Sequence, residues 1–234
     1  MNITYATLDT CAAAVDAAVA VDVCRAFTSA AYTFGAGAAR IFLADSAADA
    51  LALRERFPGA LVMGEVEGLP VPGFDLWNSP SEVAKLDLRG KTIIQRTSSG
   101  TQGIVRAARA GRLWAASFAV AEATARAIRR ADPRQVTFVI TGAAPPPEDA
   151  RYGIEDRACA DYIAALLYGE QPDPAPFLTW EPDLRAVHPI DALPEPLRSQ
   201  FYADLPLCRA PNRFNFALAV RREAGLFIME REEG

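Results

Sequence analysis

The sequence of 234 residues is poor in two residue types on which many enzymes and metalloproteins depend. It has one histidine, His188, and four cysteines that are too far apart to form a Cys-x-x-Cys pair. The sequence therefore predicts neither a zinc site nor a dithiol redox motif. The widely spaced cysteines favour a reducing, cytoplasmic setting. His188 has no acidic or nucleophilic residue at a catalytic spacing, so we do not expect it to act in catalysis.

A long apolar run and an excess of positive charge are also missing. Residues 11–21 are apolar but are interrupted by Asp16 and lack the basic region and cleavage site of a signal peptide. We therefore predict neither a signal peptide nor a membrane span. The formal net charge is -5, and basic residues cluster only as the pairs Arg129-Arg130 and Arg221-Arg222, which argues against nucleic acid as a partner. The sequence leaves open whether the chain forms a homo-oligomer.

The composition, 51% hydrophobic and 23% charged, is typical of a globular protein. Along the chain, short apolar runs alternate with helical segments. This alternation predicts an α/β fold, with a mostly parallel sheet layered with helices and right-handed crossovers. The predicted strands are 17–23, 40–44, 60–64, 92–96, 113–118 and 136–141. The helices predicted between and after them are 25–35, 46–57, 81–85, 104–110, 120–131 and 155–167.

The last part of the chain has a different character. Residues 1–170 form the predicted α/β core, whereas residues 171–234 begin with a Pro-rich connector and end in a smaller C-terminal α/β portion that completes the fold. In that portion we predict a short helix at 198–208 and a hairpin or strand pair at 214–220 and 225–230.

A loop dense in Gly, Pro and acids follows the third predicted strand, with the sequence GEVEGLPVPGFDLWNSP at 64–80. Its glycines permit turns and close approach of a ligand, its prolines stiffen the path, and Glu65, Glu67 and Asp75 supply oxygen atoms. Such a loop is either a functional site or an elaborate connector, and the first is favoured because loops on rigid strands commonly carry chemistry.

Two of the predicted strands deliver an arginine and a hydroxyl-rich turn. Arg25, Thr28 and Ser29 follow the first, while Arg96 and the turn 97–103 follow the fourth. Because the carboxyl ends of parallel strands share one edge of a sheet, we expect both turns to lie at a common ligand-binding edge, where arginine and helix N-termini favour phosphate. The alternative is that these hydroxyls are ordinary helix caps.

Several phosphatase classes do not fit the sequence. No cysteine is followed six positions later by arginine, one histidine is too few for a two-metal His/Asp hydrolase, and Asp22-Val23-Cys24 lacks the second Asp of the haloacid-dehalogenase pattern. A G-x-x-x-x-G-K-[ST] motif is also missing. The remaining chemistry is that of carboxylates and a hard cation, with Mg²⁺ held by one or two acids and by phosphate oxygens.

The sequence resembles the 2-phosphosulfolactate phosphatase family over about residues 15–170 and more weakly beyond. The motifs that carry the resemblance are VDVCRAFTS at 21–29, GE at 64–65, GFDLWNSP at 73–80, TSSGT at 97–101 and GIED at 153–156. The resemblance implies an α/β fold particular to that family and Mg²⁺-dependent hydrolysis of the phosphate ester of a sulfonated hydroxy acid, a step towards coenzyme M. Trp77 and Ser99 stand where the family usually has Gly and Asn, so the substrate itself stays open.

These observations give a set of hypotheses for the site. Asp22 and Arg25 are the predicted catalytic residues, and a small phosphorylated anion is the predicted substrate. The predicted metal ligands are Asp22, Glu65, Asp75, Glu155 and Asp156, and the predicted substrate-binding residues are Thr28, Asn78, Ser79, Arg96, Ser99 and Thr101. Either a metal-bound water or Asp22 itself attacks phosphorus. A non-catalytic binder of small dianions and a structural or partner-binding protein are the alternative classes.

Overall fold

The computed structural model describes residues 1–142, 153–180 and 193–233, which form ten strands and seven α-helices. The strands are β1 (Asn2–Thr7), β2 (Ala17–Val21), β3 (Arg40–Leu43), β4 (Leu61–Gly64), β5 (Leu76–Trp77), β6 (Thr92–Arg96), β7 (Arg112–Ala116), β8 (Gln135–Ile140), β9 (Phe216–Glu223) and β10 (Leu226–Glu233). The helices are α1 (Ala26–Gly35), α2 (Ala47–Arg56), α3 (Pro80–Val83), α4 (Gly100–Arg106), α5 (Ala121–Ala131), α6 (Ile154–Leu167) and α7 (Glu195–Cys208). His188 lies outside the described residues.

All ten strands belong to one sheet, in the order β1-β8-β2-β7-β9-β10-β3-β6-β4-β5. The pairs within β1-β8-β2-β7 and within β3-β6-β4-β5 are parallel. The hairpin β9-β10 lies between these two blocks and pairs antiparallel with both. The fold is therefore α/β with a mostly parallel sheet, as the sequence predicts. The strands of the two parallel blocks, however, run in opposite directions.

This arrangement corrects the expectation that all the parallel strands share one carboxyl edge. The carboxyl ends of β2 and β6 nevertheless approach each other, because the sheet curls around α1. A twist of roughly 20–25° per strand adds up to roughly 100° or more over the five steps from β2 to β6, which turns the two opposed directions towards one another. Side chains of α1 accordingly pack in one hydrophobic cluster with residues of both blocks.

The remaining long helices cover the outer faces of the blocks. Side chains of α5 and α6 pack with β2, β7 and β8, while those of α2 pack with β3, β4 and β6. Strand β2 is buried along its whole length, which its uninterrupted AAVAV sequence allows because both faces are covered. No helix in the described part of the chain has the length and apolar character needed to cross a membrane.

Most of the predicted elements are confirmed, but two strands and the start of one helix differ from the prediction. Strand β1, whose residues are exposed or half-buried at the edge of the sheet, has no counterpart in the prediction, and the short strand β5 lies within the predicted loop at 64–80. Helix α4 begins at Gly100 instead of residue 104, so most of the turn predicted at 97–103 is its first turn. The C-terminal hairpin and the preceding helix are both present, and the helix begins at Glu195.

Candidate active site

Asp22 stands at the carboxyl end of β2 and is 6% exposed. Its Oδ1 accepts a hydrogen bond of 2.9 Å from the backbone N–H of Ala26, at the start of α1, and its Oδ2 accepts one of 3.3 Å from the hydroxyl of Thr141, just after β8. Helix α4 also begins here, since a Cβ on Gly100 would lie 2.8 Å from Asp22 Oδ2. Only glycine allows this approach, so α4 and the Asp22 carboxylate are brought together by a residue without a side chain.

Asp156, in the first turn of α6, is buried next to Asp22. Its Oδ1 accepts a hydrogen bond of 2.7 Å from Val23 N, and its Oδ2 accepts one of 2.9 Å from Gly142 N. The carboxylate thus joins the segments that follow β2 and β8. The neighbouring Glu155 is half-buried, and its charge interacts with that of Asp22.

Glu65 comes from the other parallel block, at the end of β4. Its Oε1 accepts a hydrogen bond of 2.5 Å from Ser98 N, and its Oε2 accepts one of 2.5 Å from Gly68 N. Gly64, with φ of +152°, turns the chain here, and a Cβ on it would stand 1.8 Å from the carbonyl oxygen of Arg96. Glu65 therefore joins the loop after β4 to the turn after β6.

These acids influence one another's ionisation. Burial, followed by the negative charge of Glu65, raises the pKa of Asp22 to about 6. Burial and the charge of Asp22 raise the pKa of Glu155 to about 7. Burial together with both neighbouring acids also raises the pKa of Asp156 well above its ordinary value. Burial is the largest cause of all three shifts, so these carboxylates lack the solvation that would stabilise their charge, and a bound cation would provide that stabilisation.

Arg25, at the start of α1, is buried and held on three sides. Its Nη1 donates a hydrogen bond of 2.7 Å to Asp204 Oδ2 on α7, and its guanidinium carbon lies 4.2 Å from the ring centre of Trp77 and 4.7 Å from that of Phe201. It is close enough to Asp22 to favour the charged carboxylate there. A fixed positive charge thus stands beside the acids.

Three of the hydroxyls predicted to bind substrate are instead bonded within the protein. Thr28 donates to Val23 O at 2.8 Å, Thr101 donates to Thr97 O at 2.8 Å, and Ser79 donates to Asp204 Oδ1 at 2.7 Å. All three side chains are fully buried. Their positions favour the alternative stated above, in which hydroxyls cap and brace the turns.

The other predicted substrate-binding residues differ in how free they are. Arg96 donates from Nη1 to the carbonyl oxygen of Glu65 at 2.7 Å. Asn78 is buried, and its Oδ1 lies 3.5 Å from Gln95 Nε2. Ser99 is half-buried, and its hydroxyl makes no hydrogen bond to any described residue. Ser99 and Asn78 are therefore the polar side chains of this group with bonding capacity to spare.

Asp75 is the one predicted metal ligand that is not brought to the other acids. It is exposed, it accepts a hydrogen bond of 2.8 Å from Val62 N near the start of β4, and it lies 3.8 Å from Arg54 Nη1. Asp75 therefore binds the start of β4, whereas Glu65 lies at the opposite end of that strand, near the other acids. The candidate set of acids is reduced to Asp22, Glu65, Glu155 and Asp156.

Hard cations suit these donors because carboxylate oxygens are what Mg²⁺ prefers. Within residues 1–142, 153–180 and 193–233, no three His, Cys, Asp or Glu side chains stand close enough together to form a ready-made metal cage. Mg²⁺ commonly uses only one or two protein carboxylates and takes its other ligands from water and substrate phosphate. Asp22 and Glu155 are the residues that could hold such an ion, with Asp156 and Glu65 beside them.

Comparison with known proteins decides the family. The sequence model of the family described as 2-phosphosulpholactate phosphatase matches residues 3–179. The chain belongs to this family. Three relatives carry the name probable 2-phosphosulfolactate phosphatase, and the resemblance seen in the motifs is thereby confirmed.

These relatives are bacterial proteins of moderate similarity. The protein from Bacillus subtilis is 34% identical over 157 residues, 67% of this chain and 66% of that protein. The one from Carboxydothermus hydrogenoformans is 38% identical over 151 residues, covering 64% and 60%, and the one from Deinococcus radiodurans is 37% identical over 153 residues, covering 65% and 62%. The chain thus aligns with less than two thirds of the length of each relative. Helix α7 and the hairpin β9-β10 lie beyond the part that the family model matches.

Proposed function

We propose that the chain is a Mg²⁺-dependent phosphomonoesterase that acts on a small phosphorylated hydroxy acid. The observation that carries the proposal is the convergence of Asp22, Glu65 and Asp156 from different strand and helix ends, with Arg25 beside them. Membership of a family whose named relatives are probable phosphatases supports it. By its name, 2-phosphosulfolactate is the first substrate to test.

The burial and charge around each residue suggest a separate role for it in hydrolysis. A bound Mg²⁺ supplies a positive charge that offsets the charge developing on the transferring phosphoryl group. Asp22, with a pKa raised to about 6, can attack phosphorus itself or orient a water molecule that does so. Arg25, and Ser99, whose hydroxyl makes no hydrogen bond to a described residue, would bind the oxygens of the substrate's anionic groups. Glu155, half-exposed with a pKa near 7, can exchange a proton with the leaving oxygen.

The test is phosphate release from a panel of phosphomonoesters, with Mg²⁺ and with EDTA. The panel contains 2-phosphosulfolactate, 2-phospholactate, glycerol 2-phosphate and a simple alkyl phosphate. We expect turnover of the phosphorylated hydroxy acids in Mg²⁺ and its loss in EDTA. Binding of inorganic phosphate without release from any ester would instead assign the chain to the non-catalytic anion binders.

A matched pair of variants locates the chemistry. Asp22→Asn should lower kcat on the order of a thousandfold or more, because it removes the charge that attacks or orients, while the free energy of unfolding at pH 7 should not fall. Asp75→Asn removes a carboxylate from the opposite end of β4 and should leave kcat and KM within about twofold of the wild-type values. Equal activity in Asp22→Asn and the wild type would remove Asp22 from the mechanism.

A further inference from the structure

Helix α7 places a fully buried carboxylate behind the site, in a part of the chain that the family model does not match. Asp204 Oδ2 accepts the hydrogen bond of 2.7 Å from Arg25 Nη1. Its Oδ1 accepts from Ser79 Oγ at 2.7 Å and from Ser81 through both Oγ at 2.5 Å and N at 3.0 Å. Asp204 is thus bonded to Arg25, which precedes α1, and to the two serines on either side of Pro80.

The same face of α7 contributes two further contacts. Gln200 Nε2 donates to Ser79 Oγ at 2.9 Å and to Ser81 Oγ at 2.6 Å. Phe201 lies against the Arg25 guanidinium, which also contacts the ring of Trp77. Gln200 and Phe201 precede Asp204 by four and three residues, about one turn, so all three lie on one face of α7, which contacts both the arginine and the serines around Pro80.

A buried ion pair of this kind is weak evidence for stability. Removing two charges from water costs free energy that their attraction only roughly offsets, and apolar residues of equal volume often stabilise a fold as well. What the pair does provide is orientation. A guanidinium has five N–H donors, and among the described residues that of Arg25 donates only from Nη1 to Asp204, so other donors remain for a ligand.

We propose that Asp204 is a positioning residue that holds Arg25 for an anionic group of the substrate, so that α7 completes the active site. The inference rests on the proposed function only in identifying the anion with a phosphorylated substrate. Asp204 acts through Arg25 and touches neither substrate nor metal. Its removal should therefore affect binding of the anion more than the rate of the chemical step.

The test compares Asp204→Asn with the wild type in two measurements. Calorimetric titration with inorganic phosphate in Mg²⁺ should show affinity weakened about tenfold or more, and turnover of 2-phospholactate should show KM raised by a similar factor with kcat changed by less than about threefold. Asp16→Asn is the matched control. Asp16 precedes β2, at the end away from Asp22, and accepts hydrogen bonds from Arg134 N and Gln135 N, so its loss should lower stability without moving KM.

A milder variant guards against the case in which Asp204→Asn does not fold. Phe201→Leu removes one ring from the guanidinium and keeps the ion pair, and should raise KM and weaken phosphate binding in the same direction by about two- to fivefold. Variants that lose thermal stability but keep the wild-type phosphate affinity and KM would overturn the proposal. So would a wild-type chain that does not bind phosphate.

The outcome also separates this proposal from the proposed function. Wild-type turnover that Asp204→Asn and Phe201→Leu leave unchanged would refute the positioning role and keep the hydrolase. Phosphate binding that depends on Asp204, in a chain that hydrolyses no ester, would support the positioning role and refute hydrolysis.

Discussion

At the scale of the residue, the acids of the site are buried in positions where their negative charge is unfavourable in the folded protein. Asp22 and Asp156 are buried within reach of each other and of Glu155, and their hydrogen bonds come mainly from backbone N–H groups. Those bonds orient the carboxylates without neutralising them. The arrangement suits binding of a cation better than stability of the empty site.

The stability of the metal-free protein should consequently fall as the pH rises from about 4 to about 7. In the folded chain the pKa values of Asp22 and Glu155 are raised to about 6 and about 7, from ordinary values of 3.8 and 4.5. The folded state then binds more protons than the unfolded state over that window, so the free energy of unfolding is largest at its lower end. Urea unfolding in EDTA at a series of pH values measures this slope.

The double variant Asp22→Asn, Glu155→Gln is the control for that measurement. It removes both titrating groups, so the slope should flatten and the variant should be more stable than the wild type at pH 7. A slope that is the same in the variant and the wild type would show that other groups are responsible.

Single residues also show where prediction from sequence stops. The acids Asp22, Glu65 and Asp156 could be predicted as a group because each follows or begins a regular element. The roles of Thr28 and Ser79 could not, because a hydroxyl that caps a turn and one that binds a ligand look alike in sequence. Asp204 was missed altogether, since it lies inside a helix without a motif, and only the fold places it against Arg25.

At the scale of the element, apolar runs and caps were sufficient to place most strands and helices. Ser46 caps α2 by accepting a hydrogen bond from Asp49 N, as its position before an alanine-rich segment predicts. Strand β1 gave no comparable signal, because an edge strand with half-buried residues has neither a continuous apolar run nor a capping residue. The start of α4 was misplaced because Gly100 and Gly103 resemble a loop, whereas the structure uses them for close packing against β2 and α1.

The turn of the C-terminal hairpin offers a prediction at this scale. Ala224 and Gly225 connect β9 to β10 with φ values of +50° and +79°, the combination that a type I′ turn requires. Alanine is strained there, and asparagine is favoured. Ala224→Asn should therefore raise the free energy of unfolding by about 1 kcal/mol, measured by urea denaturation.

Gly225→Ala is the matched comparison, because it introduces a side chain at the second position of the same turn. It should lower the free energy of unfolding by about 1 kcal/mol or more. If both variants shifted stability in the same direction, the turn geometry would not be the cause.

At the scale of the whole molecule, the topology exceeded what the sequence could predict. The alternation of strands and helices predicts parallel pairing, and both blocks have it. The insertion of β9-β10 between β7 and β3 depends on contacts far apart in sequence, which local patterns do not encode. The meeting of the two blocks at the site follows from that insertion and from the curl of the sheet around α1.

The central position of the hairpin predicts one cooperative unfolding transition. Leu218 on β9 is fully buried and pairs with both β7 and β10. Leu218→Ala should lower the free energy of unfolding by about 2–5 kcal/mol while keeping a single transition, because neither block is independent of the hairpin. Leu226→Ala, half-buried at the start of β10, should cost clearly less. Two separate transitions in urea, monitored by fluorescence and circular dichroism, would contradict this view.

The order of the strands along the chain also bears on biosynthesis. The eight other strands described precede β9 and β10, so a ribosome presents both parallel blocks before the hairpin that pairs with β7 and β3 has emerged. Until then two strand edges destined for the centre of the sheet are unpaired, and such edges readily associate with other chains. The nascent protein should therefore depend on chaperones late in translation, and it cannot bring Asp22 and Glu65 into their final arrangement until the hairpin has joined the two halves.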